Sequence, residues 1–217
     1  MQKVALIVAG GKGERMNSKI PKQFLLLNNL PILMHTIKKF ANFEKTVLVL
    51  PKAHFEYWYG LCKHYHFNEQ HDLVVGGANR FQSVKNGLKK IDDKSIVMIH
   101  DGVRPIVSQS LLKILIKHSK KGVGVVPVIP IKDSIRRVEG EKSKHIARKN
   151  IYQVQTPQCF MSNDIKNAYK VKFSDFFTDD ASVFENIGGK ITTVVGDKKN
   201  LKITTKEDLK VAEIFIR

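Results

Sequence analysis

Five apolar runs rich in β-branched residues, at positions 4–8, 46–50, 73–75, 96–99 and 123–128, alternate with stretches whose apolar residues fall at helical spacing. The runs show almost no polar alternation, which is the pattern of strands buried on both faces. Ile32, Leu33, Ile37 and Phe40 follow Pro31 at a first-turn position and mark the first long helix. Strands and helices in alternation predict a mostly parallel sheet with helices on both sides, a three-layer, Rossmann-like α/β domain. Its ligand loops should lie beyond the carboxyl ends of the strands. The 217 residues fit a single domain spanning 1–217, without repeat, linker or second-domain boundary.

Residues 134–153 break the pattern. The segment is charged, short of core residues and carries a turn signal at Gly140, so it reads as a projecting β-hairpin arm. Its apolar positions Ile135, Val138, Ile146 and Ile151 need a partner, because a lone two-stranded excursion is marginal in water. A homodimer built by exchanging arms is the expectation, against the alternative of a long loop folded back on its own domain.

The formal net charge of +17 favours anionic partners such as nucleotides, sugar phosphates or nucleic acid. Lysines are spread through almost every segment (Lys38, Lys39, Lys89, Lys90, Lys120, Lys121, Lys198, Lys199), so much of this charge reads equally well as solvated surface. Only basic residues inside phosphate-shaped motifs therefore bear on function. A nucleic-acid binder would interleave aromatics with Lys and Arg or show a binding module, whereas Phe55, Tyr57, Trp58 and Tyr59 cluster in one helical segment, and no nucleic-acid partner is expected. Cys62 and Cys159 lie far apart, which indicates neither a zinc site nor a disulfide framework. The first apolar run is too short to span a bilayer and leads into a glycine loop instead of a cleavage site, so no membrane association and a cytoplasmic location are expected.

The strongest chemical signal directly follows the first run: Val8-Ala9-Gly10-Gly11-Lys12-Gly13-Glu14-Arg15-Met16. Three glycines let backbone N–H groups approach phosphate oxygens, and Lys12 and Arg15 add positive charge. The phosphate loop GxxxxGKS or GxxxxGKT is absent. The dinucleotide fingerprint also fails, because Met16 occupies its third glycine and the second strand ends in Leu50-Pro51 without an acidic ribose ligand. Ile20-Pro21-Lys22-Gln23-Phe24 follows, where Pro21 restricts the backbone and so the directions open to the Lys22 ammonium. The third element is Ile99-His100-Asp101-Gly102-Val103-Arg104-Pro105, at the end of a buried strand. Asp101 is the candidate ligand for magnesium or another divalent cation, which needs only one or two carboxylates when triphosphate oxygens and water complete its shell. His100, on the opposite strand face, reads as a packed core histidine, and Arg104 as a partner of Asp101 or part of the site wall.

Together AGGKGERM, PKQFL, HDGVRP, VQTPQ, FTDDAS and NLKITTKEDL, in this order over nearly the whole chain, resemble the cytidylyltransferases that act on polyol phosphates. The resemblance implies a nucleotidyltransferase that moves CMP from CTP to a polyol phosphate with release of pyrophosphate under a divalent cation. Residues 131–135 and 177–182 look more like the enzymes using 2-C-methyl-D-erythritol 4-phosphate, in isoprenoid precursor synthesis by the non-mevalonate route, than like those using ribitol 5-phosphate. It further implies that Arg15, Lys22 and Lys202 serve catalysis, with the first two stabilising the charged transition state. Ala9, Gly10, Gly11, Lys12 and Gly13 would hold the nucleotide phosphates. Gly76, Gly77 and Ser83 would read cytosine, with backbone help from Gly102. Arg148, Thr178 and Lys202 would hold the acceptor phosphate, and Arg148, lying in the arm, would act in the partner's site. The chain departs from the family pattern at Ala78, where an acidic residue is common, and at Lys199, where some relatives carry an aspartate. Arg80 reads as either a structural or a phosphate residue.

Overall fold

Each of the five apolar runs becomes a strand of one sheet in the protein's structure, a computed structural model that describes residues 1–10 and 20–216. In chain order the first half comprises β1 (Lys3–Val8), a small hairpin of β2 (Leu26–Leu27) and β3 (Leu30–Pro31), and α1 (Ile32–Lys38). It continues through β4 (Lys45–Leu50), α2 (Phe55–His64), β5 (Asp72–Val75), α3 (Arg80–Leu88) and β6 (Ile96–Asp101). The second half comprises α4 (Gln109–His118), β7 (Val123–Pro130), β8 (Ile135–Glu139), β9 (Lys142–Ile146), β10 (Tyr152–Val154) and β11 (Gln158–Met161). After these come α5 (Ser162–Ala168), α6 (Asp180–Glu185), β12 (Lys190–Val195) and α7 (Lys206–Phe215).

Strands β5, β4, β1 and β6 run parallel side by side. β11 then pairs antiparallel with β6 and touches β7, which also takes β10 antiparallel and β12 parallel. The sheet is mixed but mostly parallel, as the alternation predicted; the reversed strands β10 and β11 were not foreseen. The period-2 geometry of a strand sorts its side chains to two faces. Ala5, Ile7, Leu48, Leu50 and Met98 pack against α1, α2 and α4, whereas Val4, Leu6, Val47, Val49, Val97 and Ile99 pack against α3, α5 and α6. A smaller cluster of Leu27, Ile32, Val103, Ile106, Ile203 and Ala212 ties the β2–β3 hairpin and α7 to the loop after β6.

Register decides where the functional loops emerge. Val8 stands opposite both Val49 and Asp101, and Leu50 opposite Val75. The chain therefore leaves β1, β4, β5 and β6 along one edge, the position where an open α/β sheet collects its ligand-binding loops. Of the segment 134–153 read as an arm, residues 135–146 form a hairpin, β8 paired with β9 through a two-residue turn in which Gly140 has φ of 57°, a value that a tight hairpin turn assigns to glycine, whereas Tyr152 and Gln153 belong to β10 and pair with β7 of the main sheet.

Helix α3, which carries Ser83 into the site, lies close on the sheet at Gly87. A Cβ built there would sit 2.3 Å from Leu6 Cδ1 and 2.9 Å from Val49 Cγ2. Gly87→Val should destabilise the fold by about 1–3 kcal/mol through overpacking. Gly60→Val in α2, where nothing lies within 4 Å, should stay within about 0.5 kcal/mol. Urea titration of both variants checks this, and equal losses would show that the close approach is not what holds α3 in place.

Candidate functional site

At the carboxyl end of β6, the Asp101 side chain is buried among three cations: Lys202 Nζ at 3.0 Å and Arg104 Nε at 3.2 Å from Oδ2, and Arg80 Nε at 3.7 Å from Oδ1. Burial alone pushes a carboxyl pKa up, but Arg80, Lys202 and Arg104 outweigh it and hold Asp101 well below the usual carboxylate range. Arg80 is fixed from behind. Its Nη1 and Nη2 donate to the two oxygens of the fully buried Asp180 at 2.8 and 2.7 Å, and Tyr169 Oη donates to Asp180 Oδ1 at 2.6 Å. Burial and the neighbouring Asp180 raise the Tyr169 pKa well above its ordinary value, so the phenol stays a donor. A bidentate pair of this kind fixes direction as well as charge. The sequence left Arg80 between two roles; its fork is anchored structurally while its Nε faces the site carboxylate.

A buried polar network holds the surrounding loops in register. Asp101 N–H donates to Thr156 Oγ1 at 3.0 Å, Thr156 Oγ1 lies 3.1 Å from His100 Nδ1, and His100 Nε2 lies 3.0 Å from the Arg104 carbonyl. These partners assign the proton to Nε2 and leave Nδ1 to accept from the hydroxyl. His100 is thus the packed, bonded histidine that strand alternation implied. Gln155 grips the backbone of Asp197 and Asn200, Asn200 Nδ2 donates to the Thr156 carbonyl, and Arg104 Nη1 donates to the Asn200 carbonyl at 2.8 Å. Gln158 donates to the Asp179 carboxylate and accepts from Ala181 N–H, clamping the start of α6. Asn200 Oδ1 is one buried oxygen that this network leaves without a partner.

Two cavities meet over Asp101. The larger, about 610 Å³, is lined by Ala9, Gly10, Lys22, Gln23, His54, Gly77 and Ser83 among others; the smaller, about 250 Å³, by Gln155, Thr156, Thr178 and Asp179. Arg80, Asp101 and Lys202 line both. The structure thus brings Ala9, Gly10, Lys22, Gly77 and Ser83 to one side of the junction and Thr178 to the other, with Lys202 between. The expectations placed on Gly11, Lys12, Gly13 and Arg15 lie outside the described residues. Ser83 supports the loop that it was expected to serve beside: its hydroxyl accepts from Gly77 N–H at 3.0 Å and donates to the Asn79 carbonyl at 2.9 Å. Gly76 N–H continues the ladder onto the Leu50 carbonyl. Gly102 does not line either cavity, since its N–H donates to the Val8 carbonyl and its carbonyl accepts from Thr36 Oγ1. Arg148 is exposed at the base of the arm and lines neither cavity of its own chain.

Among the described residues, no group of three or more His, Cys, Asp or Glu could hold a metal ion. The donor chemistry that remains is one ionised carboxylate at the meeting of two cavities. Arg104 and Lys202 close on Oδ2, while the shortest approach of Arg80 is to Oδ1, beyond hydrogen-bond length. Such a carboxylate fits a hard divalent cation that takes most of its ligands from phosphate and water. Among the described residues, four cations line the two cavities, Lys22, Arg80, Arg104 and Lys202, against the carboxylates of Asp101 and Asp179, with Asp180 behind Arg80. The excess is positive and half enclosed, which suits polyanions. Residues that the sequence did not single out are Gln23, buried with Nε2 on the Ala9 carbonyl, and His54 in the wall of the larger cavity. Gln23 stands inside PKQF, so its motif was the available signal; His54 had none.

Residues 3–217 match the sequence profile of the family described as 2-C-methyl-D-erythritol 4-phosphate cytidylyltransferase. The chain is 46% identical to the enzyme of that name from Azobacteroides pseudotrichonymphae, covering 99% of each chain, and 42% identical to that from Phocaeicola vulgatus, covering all of both. It superposes on the crystal structure of the Francisella tularensis 2-C-methyl-D-erythritol 4-phosphate cytidylyltransferase with a TM-score of 0.81 at 30% identity, over 99% of this chain and 100% of that one.

Burial holds His100 neutral and lowers its pKa from 6.5 to about 4. The unfolded chain therefore binds the extra proton first, and stability present above pH 6.5 is lost as pH falls toward 4. The loss should reach on the order of 2–3 kcal/mol by pH 4.5, with the half-buried His35, also lowered by burial, adding in the same direction. Urea titrations between pH 7 and 4.5 should show a shallower decline for His100→Gln than for the wild type. Parallel declines would mean that His100 does not carry this dependence.

Proposed function

The chain belongs to the 2-C-methyl-D-erythritol 4-phosphate cytidylyltransferase family, and from that premise we propose how its two cavities divide the work. It is a nucleotidyltransferase that transfers CMP from CTP to 2-C-methyl-D-erythritol 4-phosphate, giving 4-diphosphocytidyl-2-C-methyl-D-erythritol and pyrophosphate, a step of the non-mevalonate route to isoprenoid precursors. The larger cavity takes CTP, with the triphosphate beside Ala9, Gly10 and Lys22 and the cytosine near Gly77 and Ser83. The smaller cavity takes the acceptor phosphate beside Thr178. The observation that supports this reading is the shared wall of Arg80, Asp101 and Lys202, across which an acceptor oxygen would lie next to the nucleotide's phosphate chain.

The chemistry is the approach of one anion to another. Like unit charges 4 Å apart repel by about 4 kcal/mol at an effective dielectric of ~20, and each substrate carries several. Lys22 and Lys202, together with Arg15 and Lys12, neutralise this repulsion. An acceptor phosphate oxygen then bonds to the α-phosphorus while the bond from that phosphorus to the bridging oxygen breaks, and pyrophosphate leaves with the electron pair. Positioning and charge stabilisation suffice, and no covalent protein intermediate is required. Magnesium or another divalent cation would be held by Asp101 with phosphate oxygens and water, and would supply neutralising charge to the triphosphate.

Arm exchange completes the reading. Val138, Ile151, Tyr152 and Val154 are exposed on and beside the hairpin, which supports a homodimer in which each arm carries Arg148 to the partner's smaller cavity. None of the described helices is long and apolar enough to cross a membrane, and we place the enzyme in the cytoplasm.

Lys22→Ala and Arg15→Ala should each lower pyrophosphate release about a hundred- to a thousandfold with circular dichroism unchanged; near-normal turnover would show the clamp is misplaced. Asp101→Asn should weaken the magnesium dependence, and an unshifted magnesium titration would remove it as a ligand. Mixing Lys22→Ala with Arg148→Ala subunits, each inactive alone, should restore about a quarter of wild-type activity, because half the dimers would be mixed and hold one intact site of two. No recovery, or a monomer in sedimentation at micromolar concentration, would eliminate the exchanged arm.

A further inference from the structure

The larger cavity contains more polar groups than it leaves available to a ligand. Ser83 Oγ both accepts from Gly77 N–H and donates to the Asn79 carbonyl. Asn79 Oδ1 accepts from Gln82 N–H as the cap of α3, and Gln23 Nε2 donates to the Ala9 carbonyl. Ala78, in the same wall, offers no polar side chain. His54 differs from all of these. It ends a short 3-10 turn, Lys52–His54, directly after β4, and it lines the cavity together with Pro51, Gln23 and Gly77. Its Nδ1 is buried and has no hydrogen-bond partner among the described residues.

An unpaired buried ring nitrogen needs an explanation, because such groups in native proteins are nearly always satisfied. The ring packs edge-on against Phe24 with centroids 5.6 Å apart. That contact keeps it at the cavity wall, while rotation of the imidazole about χ2 breaks no Nδ1 hydrogen bond. The ring can therefore offer a nitrogen to a cavity occupant and gain a bond without losing one there. His54 follows β4, whose Leu50 carbonyl accepts from Gly76 N–H, so it leaves the sheet beside the Gly76–Gly77 loop, in the cavity wall that the proposed function gives to cytosine.

We propose that His54 is a specificity-determining residue that hydrogen-bonds the cytidine part of CTP, supplying a side-chain contact that Ala78 does not. This rests on the larger cavity being the nucleotide site. One neutral hydrogen bond in a partly enclosed pocket corresponds to roughly a tenfold change in affinity, and it should fall on the nucleoside and not on the phosphates.

The test compares His54→Leu and His54→Gln with the wild type, by steady-state kinetics and by calorimetric binding of CTP and of inorganic triphosphate. His54→Leu should raise KM for CTP about tenfold, with kcat and the acceptor KM little changed, and should weaken CTP binding by the same factor while triphosphate binding holds. His54→Gln, whose amide can make the same bond, should restore CTP affinity to within about threefold and also guards against a leucine variant that fails to fold. Unchanged CTP affinity in a folded leucine variant would overturn the proposal and leave His54 as packing on Phe24. Equal loss of CTP and triphosphate binding would overturn it by placing the effect on the phosphates. A wild-type protein that binds CTP no better than triphosphate would overturn the premise that the cavity reads a nucleoside, a failure distinct from that of His54.

Discussion

One carboxylate organises this site. Without Asp101, the charges of Arg80, Arg104 and Lys202 would face one another across a half-enclosed junction with only Asp180 to offset them. Arg80 and Arg104 are tied to Asp180 and the Asn200 carbonyl, so their charges would stay in the wall common to the two cavities, and Lys202, the most exposed of the three, would lose its carboxylate partner. Burial of Asp101 is unfavourable in itself, and the three cations reverse that penalty. The arrangement is mutually dependent: the cations keep the carboxylate ionised, and the carboxylate keeps Lys202 where phosphates would meet.

Such a junction must be held from segments distant in sequence. Lys202 and Asn200 follow β12, Thr156 lies between β10 and β11, and Asp180 begins α6, whereas Asp101 ends β6. The buried amides solve this by gripping backbone instead of one another: Gln155 holds residues 197 and 200, Asn200 holds residue 156, and Gln158 holds residue 181. Bonds to backbone fix a loop's path whatever its side chains do. The QTPQ motif therefore acts as scaffold for the smaller cavity, although its polarity alone would suggest contact with substrate.

The parallel half of the sheet was legible in the sequence because both its faces are covered, which leaves near-continuous apolar runs with nothing else to fold into. The reversed strand β11 was not: Gln158 to Met161 reads as any short buried run, and hydrophobic period carries no information on strand direction. β12 was missed for the opposite reason, since Lys190, Thr192 and Thr193 make a half-exposed strand that looks polar. Among site residues, those carried by motifs came together at the predicted edge: Ala9, Gly10, Lys22, Gly77, Ser83, Asp101, Thr178 and Lys202. Arg80 was ambiguous because its partner Asp180 lies 100 positions away, and only three-dimensional proximity reveals which of several acids it chooses. Gly102 shows the converse limit. A glycine in a ligand loop suggests room for a substrate, but here the close neighbour is Ala9, with a built Cβ 2.7 Å from Ala9 Cβ.

The chain's large positive charge can now be divided. Most of its lysines stand on the surface, where mobile ions screen them within about 10 Å, and they add little to recognition. The cations that matter are few, and they are set apart by their counter-charges: Asp101 and Asp180 are among the most buried acids of the protein. A site meant to receive two polyanions must be positive enough to draw them in, yet not so positive that it cannot stay assembled between turnovers. Pairing Arg80, Arg104 and Lys202 with the buried Asp101 and Asp180, while Lys22 stands in the same wall, meets both demands: positive charge remains for phosphate to neutralise, and the paired framework persists without it. In this protein the acids, more than the abundant lysines, decide where positive charge is available for chemistry.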